Sequence, residues 1–373
     1  MENLTPAIQA LPELTPVIQP SQLFSVSTNQ GLAELLSWKS TSLLTLLGKN
    51  KQSHYSTLYL RKKGASGKLR VLHNPDGLMR AAQFRILTRI LERVEVPDYI
   101  YAFEKGKNIP KMAEAHTQKG LVISIDLKDF FTSIKQHHLL TIFSSLGFGG
   151  APSQTLSEIC TYKSYVPQGA LTSPKISNLV TASTFGPKLQ SYCDEHGYAL
   201  TVYADDVTIS CEDDLVKQSG YDAAFKIVSF VSQLVANYGF RVNREKTKIM
   251  RPFQRQYVCG VVVNHRVNLQ KAERNRLRAI VHNSSVRGIE SEAAVSGLTP
   301  DKFVSRTMGQ LNWFGQLNPE AGVHLKSKFK QIVQGCVPID VGDNCVVDIA
   351  PQVVQQKVET GSDVPQLPVL STH

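Results

Sequence analysis

The sequence lacks an apolar run near the ~20 residues that a membrane-spanning helix needs. Its first twenty residues contain no Lys or Arg, so the basic start of a secretory signal is missing as well. No internal repeat is evident. These absences predict a cytoplasmic globular protein, and a composition of 42% hydrophobic and 19% charged residues is ordinary for that class.

Cysteines are few and scattered. No two of the six form a Cys-x-x-Cys pair, which argues against a zinc knuckle. Their spacing favours reduced, mostly structural thiols. The six are Cys160, Cys193, Cys211, Cys259, Cys336 and Cys345.

Positive charge is in excess and unevenly distributed. The net charge is +10, and residues 337–373 contribute −4, so the remainder carries +14. A net charge of +14 on the rest of the chain favours a polyanion partner, although a merely basic soluble protein is an equal alternative. The acidic tail is either a docking or self-shielding segment or a plain solvated tail. Residues 1–20, with four prolines, predict an extended arm or a disordered end without a role.

Hydrophobic periodicity predicts alternating strands and helices between these ends. Two apolar runs, 58–60 and 69–72, flank a glycine-containing turn and predict a β-hairpin. The stretch 199–210 predicts two short strands that meet at Asp205 and Asp206. Other predicted elements are helices at 78–94 and 221–238 and a buried strand at 121–127.

The two adjacent acids follow Tyr203-Ala204. At a hairpin turn they reach solvent, whereas burying two carboxylates without cations is costly. Phosphoryl transfer gives a reason for them, because two Mg²⁺ ions about 3.5–4 Å apart clamp the attacking and leaving oxygens and prefer carboxylate ligands. A polar β-turn is the simpler interpretation of the pair alone.

A third acid, Asp126, ends the predicted strand, where another metal ligand could originate. Asp129 is interpreted as the cap of the helix that begins at Phe130-Phe131, and capping is also the alternative for Asp126 considered alone. Pro167-Gln168-Gly169 then forms a predicted turn, where glycine lets the backbone approach a ligand closely.

The order of these motifs resembles the reverse transcriptase family over about residues 55–265. The resemblance implies an α+β, right-hand polymerase fold with fingers, a ferredoxin-like palm sheet carrying the three acids, and a mostly helical thumb. It also implies four regions: an N-terminal extension with entry helices (1–50), fingers and palm (51–265), a thumb that binds RNA and duplex (266–335), and an acidic tail (336–373).

The resemblance assigns roles to individual residues. Asp126, Asp205 and Asp206 match the catalytic residues that bind two Mg²⁺ ions. Phe131 matches the ring that excludes a ribose 2′-hydroxyl, with a core aromatic as the alternative. The other nucleotide-binding positions are Gln168 at the incoming nucleotide, Lys68 and Arg70 over the triphosphate, and Lys246 near the leaving pyrophosphate.

Within the family, the chain is most similar to bacterial retron reverse transcriptases, through its compact size, Asp129-Phe130-Phe131 and Ala113-Glu114-Ala115-His116. It departs from their pattern at Met112, where they usually have Asn, and at Cys259 in their Val-Thr-Gly triplet. The resemblance implies binding of a structured noncoding RNA, partly through His116, and priming of cDNA from a guanosine 2′-hydroxyl. The branched RNA–DNA product would serve antiphage defence together with an effector protein.

Basic residues after residue 266 favour RNA binding by the thumb. Arg274 and Arg278 lie in a basic helical pattern, and Trp313 could stack a base. The alternative is a solvated basic face with Trp313 in the core.

Two other functions are weighed against this one. A group II intron-type reverse transcriptase normally has a maturase region, for which about 37 residues after Cys336 are too few. A catalytically idle RNA-binding protein on the same fold is opposed by the intact acidic triad.

Overall fold

The computed structural model describes residues 23–39, 51–61, 69–212 and 222–335. The predicted arm at 1–20, Lys68 and the acidic tail at 336–373 lie outside them. The helices and strands, in chain order, are α1 (Asn29–Leu35), β1 (Tyr55–Arg61), β2 (Leu69–Pro75), α2 (Gly77–Arg89), α3 (Ile109–Glu114), β3 (Leu121–Asp126), α4 (Phe130–Ser133), α5 (Gln136–Ser145), α6 (Gly150–Ile159), α7 (Ser173–Ser183), α8 (Phe185–Glu195), β4 (Ala199–Tyr203), β5 (Asp206–Cys211), α9 (Asp222–Ala236), β6 (Lys248–Met250), β7 (Tyr257–Val258), β8 (Val261–Val262), α10 (Lys271–Arg287), α11 (Ile289–Val295), α12 (Pro300–Leu317) and α13 (Pro319–Val333).

A four-stranded sheet in the order β4-β5-β3-β6 forms the palm. Every neighbouring pair is antiparallel, and helices connect β3 to β4 and β5 to β6. This is the βαββαβ connectivity of a ferredoxin-like sheet. β3 is central and almost wholly buried, because its apolar run is covered on both faces. The prediction of an α+β right-hand polymerase fold with this palm is confirmed.

Helices α7, α8 and α9 supply much of the core around the sheet. Nearly every residue of α7 is buried. Tyr192 of α8 stacks on Phe230 of α9, with ring centroids 3.9 Å apart. Phe240, just after α9, packs against Phe130 and Phe185. The core therefore reaches the end of the sheet where β3 stops.

The predicted fingers hairpin is confirmed as the antiparallel pair β1–β2. Its base is anchored by Gln83 of α2, whose buried amide donates to the Tyr55 hydroxyl and the Ile159 carbonyl, both at 2.9 Å. On the same helix, Arg85 and Arg89 donate to carbonyls at the C-terminal end of α1. The C-terminal end of a helix carries partial negative charge, which favours cations there. These two arginines therefore hold α1 against α2.

Helices α10 to α13, in the region predicted to be the thumb, pack around a second hydrophobic core. Their core is continuous with Val122 and Met250 of the palm sheet. Helices α12 and α13 cross closely, since a Cβ on Gly322 would stand 2.5 Å from the Cα of Gly315. Met112 is fully buried in this shared core, which gives the departure from Asn there a packing role.

Among the described residues, no helix has the length and hydropathy to cross a membrane. The cysteines within these ranges, Cys160, Cys193, Cys211 and Cys259, are free thiols, and Cys336 and Cys345 lie outside them.

Candidate active site

Strand register brings the first and last acids of the motif together. Asp126 at the end of β3 is paired directly with Asp206 at the start of β5. Directly opposed residues in antiparallel strands project to the same face, with Cβ atoms about 4.5–5.5 Å apart. Asp205 occupies the turn before β5, and its carbonyl accepts a hydrogen bond from Leu127 N at 2.8 Å. Ala204 has φ +54°, the left-handed conformation that reverses the chain there.

Asp126 is held by two residues from the segment after α9. Its Oδ1 accepts from Asn243 Nδ2 at 3.0 Å, and its Oδ2 accepts from Lys246 Nζ at 2.8 Å. Asn243 N also donates to the Asp126 carbonyl at 2.7 Å. The ammonium group of Lys246 therefore lies within the acidic cluster, in contact with Asp126. Asn243 had no predicted role, and the only sequence signal for it was its spacing of three residues before Lys246.

Burial and mutual repulsion disfavour the ionised forms of the carboxylates in this cluster. The pKa of Asp206 is raised to about 6, first by burial and then by the carboxylates of Asp205 and Asp126. The pKa of Asp205 is also raised, chiefly by burial, while Lys246 and Arg70 oppose the shift. The hydrogen bond to Asp126 raises the pKa of Lys246, so the ammonium stays charged. Bound cations would relieve the remaining repulsion.

The donor set fits a hard divalent cation, because it consists of carboxylate oxygens on adjacent strands and their turn. Within the described ranges, no group of three or more Asp, Glu, His or Cys side chains is already arranged to hold a metal ion. Both Asp126 oxygens are instead engaged by Asn243 and Lys246. Metal binding at Asp126 therefore requires Lys246 to move aside or share the carboxylate.

The Pro-Gln-Gly turn is tied to the fingers hairpin. The Gln168 carbonyl accepts from His73 N of β2 at 2.7 Å. Gly169 has φ +106°, and a Cβ there would stand 3.3 Å from the His73 carbonyl, so glycine suits both the conformation and the contact. Arg70, three residues earlier on β2, is exposed and acts electrostatically on Asp205. Gln168 is half-buried, and Lys68 lies outside the described residues.

The two phenylalanines after Asp126 differ in their environments. Phe130 is 2% exposed and belongs to the palm core. Phe131 is half-buried and packs against the edge of that core, with its ring 5.9 Å from that of Phe130. Phe131 thus contacts the core and is also partly accessible to solvent. Its role as the ring that excludes a ribose 2′-hydroxyl stays a prediction.

Cys259 lies near the acids in the two-residue turn between β7 and β8. It has φ +47° and is followed by Gly260 at φ +84°, the pattern of a type I′ hairpin turn. Burial, together with Asp206 and Asp205, raises the pKa of its thiol to about 12. The thiol is therefore neutral beside the carboxylates.

The structure corrects the prediction that His116 contacts RNA. The side chain is fully buried, and its ring nitrogens pair with Ser210 Oγ at 2.7 Å and Thr201 Oγ1 at 2.8 Å. Burial lowers the pKa of His116 to about 3, so the ring is neutral. His116 therefore links β4 to β5 beneath the sheet.

The thumb residues named from sequence occupy different environments. Arg278 is exposed on α10, whereas Arg274 is half-buried and its Nε is a buried donor without a partner. Trp313 is half-buried against the thumb core. Their RNA contacts stay predictions, and Arg278 is the most accessible of the three.

The sequence pattern of the family described as reverse transcriptase (RNA-dependent DNA polymerase) matches residues 60–286. The chain is 30% identical over 245 residues to the retron Ec86 reverse transcriptase of Escherichia coli, covering 65% of this chain and 74% of that protein. It is 31% identical over 295 residues to the retron Mx65 reverse transcriptase of Myxococcus xanthus, covering 74% and 64%. The retron Mx162 enzyme of the same organism is 29% identical over 258 residues, covering 62% and 53%.

Among solved structures, the chain is similar to telomerase from Candida albicans in complex with a fragment of telomeric RNA. The likeness has a TM-score of 0.42 and 11% identity, and it covers 83% of this chain and 70% of that one.

Proposed function

We propose a specific task for this chain, which belongs to the reverse transcriptase family and is an RNA-directed DNA polymerase of the bacterial retron type. The task is reverse transcription of a structured noncoding RNA, primed from a guanosine 2′-hydroxyl of that RNA. The product is a branched RNA–DNA hybrid, used with an effector protein in antiphage defence. The similarity to several retron enzymes and the pairing of Asp126 with Asp206 support this proposal.

Each side chain of the candidate active site has a part in the proposed reaction. Asp126, Asp205 and Asp206 would hold two Mg²⁺ ions, which supply positive charge to the attacking and leaving oxygens when bound. Lys246 balances charge at Asp126 and is available to the leaving pyrophosphate. Arg70 and Lys68 neutralise the triphosphate.

Two further residues select the nucleotide. Gln168, held by β2 through its backbone, contacts the incoming dNTP. Phe131 presents the accessible part of its ring to the sugar and excludes a 2′-hydroxyl. A gate of this kind depends on rigidity, which the packing of Phe131 against the palm core supplies.

We assign regional roles on the same basis. Residues 51–265 are the fingers and palm, and 266–335 are the thumb, whose exposed Arg278 contacts phosphates of RNA and of the growing hybrid. Residues 1–50 and 336–373 are an N-terminal extension and an acidic tail.

Analysis of the nucleic acid that copurifies with the protein tests this function. The chain and its Asp205→Asn/Asp206→Asn variant are purified in parallel. Each comes from cells in which the native locus encodes only that version of the protein. Their nucleic acids are sequenced before and after RNase and debranching treatment. We expect a single structured RNA on both proteins and cDNA on the wild type alone, joined to RNA by a debranchable link.

The alternatives give different results. An intron RNA with unbranched cDNA favours the group II intron type. RNA without cDNA on either protein favours a catalytically idle RNA-binding protein. Linear cDNA on the retron RNA contradicts priming from the 2′-hydroxyl.

A further inference from the structure

An aromatic residue outside the motifs lies beside the catalytic turn. Phe103 is 52% exposed, although it is a large apolar side chain. Its ring centroid is 6.3 Å from that of Tyr203, at an interplanar angle of 42°. Tyr203 precedes the turn that carries Asp205 and Asp206. An exposed ring therefore sits next to the residues that hold the reacting groups.

The palm sheet itself carries Phe103 to this position. Val202 N of β4 donates to the Tyr99 carbonyl at 2.7 Å, and Tyr101 N donates to the Val202 carbonyl at 2.9 Å. Residues 99–101 thus run parallel to edge strand β4. The chain then turns at Ala102 and Phe103, which places the Phe103 ring beside Tyr203 at the end of β4.

The backbone at Phe103 is strained and clamped. Its φ of +61° is unusual for a bulky residue, and such conformations persist only where the surroundings enforce them. Asn178 of α7 donates to the Ala102 carbonyl at 2.6 Å. Lys175 of α7 donates to both Glu104 oxygens, at 2.9 and 2.8 Å, in an ion pair whose side chains are 9% and 15% exposed. The residues on both sides of Phe103 are therefore fixed to α7.

This clamp does not bury Phe103. The contacts of Ala102 and Glu104 with α7 offset the cost of the backbone conformation, and half of the ring stays accessible to another molecule. A flat, rigidly presented ring suits a nucleobase or sugar, and stacking is tolerant of sequence. Exposed Lys105 and Lys111 follow in the chain and favour a polyanion over an apolar protein surface.

We propose that Phe103 is a substrate-positioning residue that stacks on the bound template–primer nucleic acid beside the catalytic turn. This inference rests on the proposed function, in which the chain copies a bound RNA template. The Glu104–Lys175 ion pair sets the ring's position before nucleic acid binds. The stacked nucleotide belongs either to the RNA template or to the DNA primer, since both offer the same ring chemistry.

Photocrosslinking distinguishes the two strands. 5-Iodouridine is placed at successive positions of an RNA template, and 5-iododeoxyuridine at successive positions of the DNA primer, each in a defined template–primer duplex. We expect one strand, at one or two adjacent positions, to crosslink to the peptide containing Phe103. The crosslink should disappear in Phe103→Leu and persist in Phe103→Trp.

Steady-state kinetics supply an independent readout. Phe103→Ala and Phe103→Leu should raise the KM for template–primer by roughly 5- to 100-fold, the range expected for loss of one stacked base. kcat at saturating template–primer should change much less, and Phe103→Trp should restore KM. Phe225→Ala is the matched control, because Phe225 is 66% exposed on α9. Thermal unfolding of each variant establishes that it is folded.

Either of two results overturns the inference: a crosslink that persists in Phe103→Leu, or a KM for Phe103→Ala equal to that of Phe225→Ala. The proposed function fails separately. A wild type that crosslinks through Phe103 but forms no branched cDNA leaves the contact intact and removes the proposed function.

Discussion

Replacing Asp206, one of the three proposed metal-binding carboxylates, should stabilise the metal-free protein while it abolishes synthesis. The pKa of Asp206 is raised from 3.8 to about 6, chiefly by burial and then by Asp205 and Asp126. The folded state therefore binds this proton more tightly than the unfolded chain does, so the free energy of unfolding falls as the pH rises from about 4 to about 6 and stays lowered above that. A difference of about 2 pKa units corresponds to at most about 3 kcal/mol at pH 7.5, falling to about half at pH 5.

Urea unfolding in EDTA measures this effect. We expect Asp206→Asn to raise the free energy of unfolding by about 1–3 kcal/mol at pH 7.5, and by less at pH 5. Saturating Mg²⁺ should then stabilise the wild type more than the variant, since only the wild type has the full ligand set. Asp129→Asn is the control, because Asp129 is an exposed carboxylate three residues after Asp126, in the segment between β3 and α4. A destabilised Asp206→Asn protein, or a difference independent of pH, would refute the reasoning.

Three further predictions concern the gate, the thumb surface and the thumb core. Phe131→Ala should increase ribonucleotide incorporation relative to dNTPs, and unchanged selection in a competition assay would remove the gate role. Arg278→Glu should weaken RNA binding and reduce the slope of log affinity against log salt by about 1, whereas an unaltered slope would return it to a solvated face. Gly322→Ala should lower the free energy of unfolding by about 1–3 kcal/mol, because its Cβ would meet Gly315. Gly309→Ala, where a Cβ meets open space, should not lower it.

Local patterns in the sequence were sufficient to predict the strands that carry the three acids. The apolar run before Asp126 and the β-type residues on both sides of Asp205 and Asp206 specify two strands and a turn. Motif order then supplied the fold through family resemblance. Side chains alternate between the two faces of a strand, so the sequence pattern also shows which face each acid occupies. The candidate site depends on that face.

The partners of the site could not be read from the sequence, because they depend on packing between distant segments. Asn243 and Asp126 are separated by 117 residues, and no periodicity links them. His116 was misassigned because its string resembled an RNA-contacting motif, whereas the fold buries its ring between two hydroxyls. Phe103 gave no signal, since its significance lies in a positive φ and an exposed ring that only the structure reveals.

Primer extension by the purified protein tests the central claim most directly. An RNA template annealed to a labelled DNA primer is incubated with dNTPs and Mg²⁺, and RNA binding is measured on the same preparations. We predict full-length DNA with the wild type, none in EDTA, and none with Asp205→Asn/Asp206→Asn, which should still bind RNA. Full extension by that double variant would contradict the assignment of the carboxylates and, with it, the account of this site.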